Sequence, residues 1–219
     1  YIKRVPLDVY RQQKRGGRGV TGMATKEEDV VDKVFMASTH DYLLCFTNKG
    51  RAYWLRVYDI PEGSRTAKGK AIVNLLNLTD EDVSAVIPLR SFDSDKYFLY
   101  ATKSGRIGKF SQDLFSRPRA GGIIGMTLLD GDELVDVVMT DGKSDVVLTT
   151  AYGQSLRFSE EEVRATGRGS QGVIGIKMKY EEDRVCGLTL VDEKAKYLFL
   201  LTDKGFGKRT LFDEFMGHG

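Results

Sequence analysis

Histidine and cysteine are scarce in this chain, with two of each in 219 residues. His40 and His218 are isolated from each other and from the cysteines, so no tetrahedral nitrogen–sulfur metal set is expected. His40, beside Asp41, reads as a turn residue. Cys45 and Cys186 both lie in apolar contexts and are expected as buried free thiols in a reducing compartment. No apolar run approaches the length that spans a bilayer and no signal-peptide pattern opens the chain, so a cytoplasmic location is expected. A phosphate-binding G-x-x-x-x-G-K-[ST] is missing too, which leaves ATP binding by this chain without support. Charge of one sign is not in excess: 33 Lys and Arg against 31 Asp and Glu give a net charge of only +2. Total charge therefore announces no polyanion partner. With 41% hydrophobic and 29% charged residues the chain is expected to be globular and soluble.

Repetition is what the chain does have. Residues 1–10 (YIKRVPLDVY) are nearly re-spelled at 206–215 (FGKRTLFDEF). A glycine opens a small apolar run at Gly19, Gly69, Gly122 and Gly172, in steps of 50, 53 and 50. An acidic pair precedes alternating apolar residues at 28–29, 81–82, 132–133 and 182–183. A turn glycine between strand-like runs recurs at Gly50, Gly105, Gly153 and Gly205. The three markers share a period of about 51 residues, at the long end of propeller-type repeats.

Within each unit the hydrophobic period is 2. Residues 42–47, the turn 48–50 and residues 51–55 read as a hairpin, as do 97–102 with 107–110, 146–150 with 155–158, and 197–202 with 206–209. A further strand precedes each hairpin, such as 83–89 or 134–139, so each unit is expected to be an antiparallel sheet of about four strands. Such a sheet cannot bury both faces alone, and units must stack. Thr25–Met36 contains a capping-box pattern, Thr25-x-x-Glu28, yet its equivalents favour strand, and strand is expected there too. Short helical turns are expected at 113–115 and 159–163. The aromatics Tyr42, Phe46, Tyr53, Trp54, Tyr97, Phe98, Phe110, Tyr152, Phe158, Tyr197 and Phe199 are expected in the core. Four complete units and the leading strand of a fifth are expected in a single domain over 1–219, the next glycine loop falling past Gly219.

Charge is segregated within the repeat. The loop before each apolar marker is basic: Arg11, Lys14, Arg15 and Arg18; Arg65, Lys68 and Lys70; Arg117 and Arg119; Arg164 and Arg168. Acids are absent from these stretches and gather in turns at 27–29, 80–82, 130–133, 160–162 and 181–183, where they read as solvated turn residues rather than catalytic or metal-binding carboxylates. In a radial array, equivalent loops share one rim, so the basic loops should form an interrupted cationic belt that suits a curved polyanion. Two G-x-G-x-x-G matches, at 17–22 and 167–172, lack the strand-before, helix-after setting of a dinucleotide fingerprint and recur at repeat positions. No catalytic constellation is present.

The first loop, Gln13-Lys14-Arg15-Gly16-Gly17-Arg18-Gly19, resembles the signature box of the C-terminal domain of DNA gyrase A. Residues 1–13, 37–61 and 69–76 (GKAIVNLL) are similar to that family as well, and the resemblance covers the whole chain. It implies an all-β fold, a β-pinwheel: a propeller-like disc of four-stranded antiparallel blades with strands exchanged between neighbours. It also implies wrapping of double-stranded DNA around the basic perimeter by Gln13–Gly19, Arg65, Lys68, Lys70, Arg117, Arg119, Arg164 and Arg168. The same resemblance places the DNA-cleaving tyrosine in the N-terminal part of gyrase A, and ATP with gyrase B, in an A2B2 holoenzyme that also uses Mg. No cofactor is expected in this chain. Topoisomerase IV has a related domain that usually lacks the intact box and binds DNA without strong wrapping. From the residues alone, a propeller-type protein-interaction scaffold with an acidic partner is the other reading.

Overall fold

Four hairpins, each closed by the same turn chemistry, set the frame. The computed structural model describes residues 1–9, 22–23, 31, 33–191, 194 and 196–215. The hairpins are β1 (Tyr42–Thr47) with β2 (Arg51–Arg56), β4 (Tyr97–Thr102) with β5 (Arg106–Ser111), β8 (Asp145–Thr150) with β9 (Ser155–Ser159), and β12 (Tyr197–Leu201) with β13 (Gly207–Leu211). At each turn a threonine hydroxyl accepts the backbone N–H four residues on: Thr47 from Arg51, Thr102 from Arg106, Thr150 from Gln154, Thr202 from Phe206. The turn glycine has φ of +78° at Gly50 and +88° at Gly105. A Cβ there would lie 2.6 Å from the carbonyl oxygen of Met126 and 2.5 Å from that of Ile176, so these glycines admit a second chain segment against the turn.

Between the hairpins lie β3 (Val83–Leu89), β6 (Ile123–Ile124), β7 (Leu134–Thr140), β10 (Val173–Ile174) and β11 (Val185–Leu190). Their pairing corrects the expectation that each hairpin joins the strand before it. β3 precedes β4 in sequence but pairs with β1, and β7 precedes β8 but pairs with β4. The short strands reach back in the same direction: β6 lies on β2 and β10 on β5. Two sheets result with the orders β3-β1-β2-β6 and β7-β4-β5-β10, followed among the described residues by β11-β8-β9 and β12-β13. Every sheet with more than two strands thus borrows strands from the unit after it. This is the strand exchange of a β-pinwheel, and it joins consecutive units by hydrogen bonds as well as by packing.

The core is divided between the sheets. Central strands such as β1 are buried on both faces, which explains why Leu43, Leu44, Cys45 and Phe46 form a continuous apolar run. Leu44 and Phe46 face the second sheet, where Phe98, Tyr100, Phe110 and Phe115 close an aromatic cluster; the Phe46–Phe115 and Phe98–Phe115 centroids are 5.5 and 5.4 Å apart, edge to face. Leu43 and Cys45 face the other way, toward Ile2 and the helix α1 (Ile72–Leu76). A third cluster around Leu99, Ile107 and Leu148 joins the second and third sheets, and Val147, Leu198 and Phe212 join the third and fourth.

The helical turns expected at 113–115 and 159–163 are 3₁₀ turns at Gln112–Phe115 and Glu160–Glu162, the latter capped by the Ser159 hydroxyl. Residues 33–36 form no strand, and most of the remaining Thr25–Met36 segment lies outside the described residues. Cys45 is buried, but Cys186 is exposed, sitting at the register shift of β11 between Val185 and Gly187. Tyr152, Tyr197 and Phe199 are likewise exposed rather than in the core: Tyr152 sits in a hairpin turn, and the other two on the open face of β12. No helix of the described residues is long and apolar enough to cross a membrane.

Candidate nucleic-acid interface

The basic loops follow a common path. The first three hairpins each end in a 3₁₀ turn, at Val57–Asp59, Gln112–Phe115 and Glu160–Glu162, and the chain then enters the basic loop. The loop does not stay with its own sheet. Residues 116–122 run into β6 on the outer edge of the first sheet, and residues 164–172 run into β10 on the outer edge of the second. Residues 63–70 return in the same way to the leading segment, where the Ile2 and Lys70 backbones exchange hydrogen bonds of 2.8 and 2.9 Å. Every described basic loop therefore lies along the outer edge of the preceding unit.

The loop 164–172 also touches the segment that follows β6 in the preceding unit. The Gly169 N–H donates to the Gly125 carbonyl at 2.9 Å, and the Thr127 N–H donates to the Ser170 carbonyl at 3.2 Å. The Tyr100 hydroxyl reaches the same Ser170 carbonyl at 3.1 Å. Burial pushes the Tyr100 phenol up to about 12, so it remains a donor at neutral pH. These bonds tie the third described loop to the segment leading out of the second.

Two arginines fix the loops from beneath, and sequence reasoning did not single them out. The Arg106 guanidinium donates through Nε to the Gln171 carbonyl at 2.8 Å and through Nη2 to the Gly172 carbonyl at 2.6 Å. Arg51 donates through Nη2 to the Gly121 carbonyl at 2.7 Å and through Nε to the Tyr53 hydroxyl at 2.9 Å. The one available signal was positional: both immediately follow a hairpin-turn glycine. Gly172 itself has φ of +67° and packs on the Ile107 carbonyl, which leaves no room for a Cβ.

The predicted cations divide into two groups. Arg117 and Arg119 in the second described loop, and Arg164 and Arg168 in the third, are exposed, and none of their side chains forms an ion pair or hydrogen bond among the described residues. In the loop 63–70, Arg65 and Lys68 are half-buried; Lys68 Nζ sits 3.8 Å from the Tyr1 ring centroid, and Lys3 donates to the Ser64 and Arg65 carbonyls. Lys70 is exposed, its backbone engaged with Ile2. Gln13, Lys14, Arg15, Gly16, Gly17, Arg18 and Gly19 lie outside the described residues.

The acids are spent on the hairpin turns. Asp132 accepts from the Ser104 N–H at 2.9 Å and from its hydroxyl at 2.6 Å, Glu133 pairs with Lys103 at 2.8 Å, and Asp183 accepts from the Tyr152 N–H at 3.0 Å. Asp80 pairs with Lys49 at 2.8 Å, and the hydrogen bond from that ammonium holds its carboxyl below the usual range. Among the described residues no carboxylate pairs with Arg117, Arg119, Arg164 or Arg168, while Asp80, Asp132, Glu133 and Asp183 are engaged at the hairpin turns. No group of three or more His, Cys, Asp or Glu side chains that could hold a metal occurs among the described residues.

Borrowed strands and repeated blades define a β-pinwheel whose described basic loops lie along the outer sheet edges. The family model described as "DNA gyrase C-terminal domain, beta-propeller" matches residues 1–38, 41–90, 96–141, 144–191 and 196–217, and the chain belongs to that family. The DNA gyrase A protein of Salmonella typhimurium (strain LT2) is 44% identical over 216 residues, covering 98% of this chain and 24% of the relative. This chain thus spans about a quarter of the curated relatives it matches. Among solved structures, the C-terminal domain of DNA topoisomerase IV superposes with a TM-score of 0.82 at 30% identity, covering all of this chain and 66% of that one. The DNA gyrase A C-terminal domain superposes with a TM-score of 0.74 at 26% identity, covering all of this chain and 71% of that one.

Proposed function

We propose that this chain binds duplex DNA along its rim and wraps it, within a gyrase-type topoisomerase that uses the wrap to introduce negative supercoils. The observation that supports the reading is the set Arg117, Arg119, Arg164 and Arg168, exposed and without an ion pair among the described residues, on two loops that run onto equivalent outer sheet edges. Guanidinium groups free of internal partners can neutralise phosphates and release counterions, a sequence-independent contribution. Bending a 20–30 bp site costs about 1–6 kcal/mol, which a continuous cationic path must offset. Gln13–Gly19 would fix one end of the path and Arg65, Lys68 and Lys70 would guide the duplex between. In this reading the chain holds and bends DNA, while strand cleavage belongs to the N-terminal part of gyrase A and ATP, with Mg, to gyrase B in an A2B2 assembly.

A topoisomerase IV-like role, with binding but no strong wrap, is favoured by the higher TM-score of that domain. The intact seven-residue box argues for wrapping. The two separate in one assay: relaxed circular DNA is incubated with the chain and a relaxing topoisomerase, then deproteinised. A shifted linking number supports wrapping, whereas salt-sensitive binding with no shift supports the topoisomerase IV-like role. Absence of DNA binding at low salt would overturn both.

A further inference from the structure

The borrowed strands on the rim expose an apolar residue where edge strands are ordinarily blunted by charge. β6 and β10 occupy equivalent positions, and each is the outermost strand of its sheet. Ile124 lies opposite Arg51, and Ile174 opposite Arg106. Ile124 is 56% exposed and Ile174 60% exposed. The neighbouring position shows that this is not simply an uncovered edge. Ile123 is 8% exposed, packed into the first core cluster, while its equivalent Val173 is 54% exposed. Ile124 stays open although the loop 164–172 bonds Gly125 and Thr127 just after it. Its exposure is a property of the repeat position, and the position recurs in consecutive units.

Each of these isoleucines follows a basic loop in sequence and lies across the strand pair from an arginine. Ile124 follows Arg117 and Arg119 and faces the strand bearing the clamped Arg51; Ile174 follows Arg164 and Arg168 and faces Arg106. An occupant must accept both branched apolar side chains and uncompensated guanidinium groups at one repeat spacing. A duplex offers both, as phosphates flanking apolar sugar edges in the minor groove, where proteins that bend DNA seat apolar side chains. A protein partner would have to match the same two-unit spacing with both apolar and acidic groups, and the assembly readout below separates that case.

We infer that Ile124 and Ile174 are DNA-contacting residues that press on the sugar edges of the minor groove of the wrapped duplex, giving the rim a salt-independent component of binding. The inference rests on the DNA-binding reading above. It is tested with the double variant Ile124→Ser/Ile174→Ser in the full chain, by fluorescence anisotropy on a linear duplex across a salt series. The expected result is an affinity about tenfold weaker at every salt concentration, with an unchanged slope of log K against log salt. The conservative variant Ile124→Val/Ile174→Val should retain most of the affinity. Both sites are exposed, and a thermal melt matching the parent confirms folding. Equal affinity of parent and serine variant would overturn the inference, and so would a shallower slope, which would mean that the basic loops had moved. If the parent itself shows no salt-dependent DNA binding, the DNA reading fails instead. Serine variants that bind DNA normally but no longer assemble with the rest of the topoisomerase would assign the isoleucines to a protein partner and overturn the proposal.

Discussion

The indole N–H of Trp54 donates to the carbonyl of Phe115 at 2.9 Å, crossing from one unit to the 3₁₀ turn of the next. The same repeat position does this with different chemistry elsewhere. Arg4 donates through Nε to the Ile60 carbonyl at 2.9 Å, Lys109 through Nζ to the Glu160 carbonyl at 2.7 Å, and Arg157 through Nη1 to the Phe212 carbonyl at 3.0 Å. A donor is required and its type is free. The bond fixes the turn from which each basic loop departs.

Trp54→Phe should therefore lower stability by about 1–3 kcal/mol, because ring packing is largely kept while the Phe115 carbonyl loses its donor. Urea denaturation of both proteins measures it. An unchanged midpoint would show that water replaces the indole at no cost.

The Lys109 contact carries more risk. Glu160 is wholly buried; one carboxylate oxygen accepts from the Thr140 hydroxyl and the Ser144 N–H, and the other has no hydrogen-bond partner among the described residues and lies 3.8 Å from Lys109 Nζ. Lys109→Met strands that charge and should cost about 3–5 kcal/mol. Lys109→Met/Glu160→Gln should recover part of the loss, read as a coupling energy in a double-mutant cycle.

Replacing Arg117, Arg119, Arg164 and Arg168 together by Ala should reduce the magnitude of the salt slope of duplex binding by about 3–4, since each phosphate contact contributes about 0.9. The melting temperature should hardly move, because these side chains make no ion pairs or hydrogen bonds among the described residues. A retained slope would place the DNA elsewhere.

Arg106→Lys keeps the charge but cannot reproduce two donors aimed at two carbonyls. Weaker DNA binding with an unchanged salt slope is expected, and a smaller effect from Arg51→Lys, which gives up one loop carbonyl. If Arg106→Lys alters the slope instead, Arg106 neutralises phosphate directly.

Thiol labelling separates the two cysteines. Burial pushes the Cys45 thiol up to about 12, and Cys186 is exposed. One equivalent of thiol should react with Ellman's reagent in the native protein and the second only on unfolding. Two fast equivalents would mean that the first sheet opens readily.

What could be read from the sequence and what could not follow physical lines. Gly50, Gly105, Gly153 and Gly205 announced the hairpins because a positive φ restricts residue choice, and the alternation around them announced the strands. The partner of Val83–Leu89 could not be read, since a period of 2 is the same whichever neighbouring hairpin a strand joins. At the rim the sign of charge was legible but its employment was not. Arg106 and Arg168 are the same residue in the sequence, yet one is bound to two carbonyls and the other is open to solvent. The exposure of Ile124 and Ile174 could not be read either, because it depends on which edge of a sheet a strand occupies.

The borrowing of β6 and β10 has a consequence for how such arrays change over evolutionary time. A repeat that contained all its own strands could be gained or lost as a cassette. Here excision of one unit would remove the outer strand and the inner flank of the unit before it, and an inserted unit would have to find both a donor and an acceptor in register. Change in the number of blades is therefore expected to be rare, with variation accumulating instead in the basic loops, which can alter without unseating a neighbour.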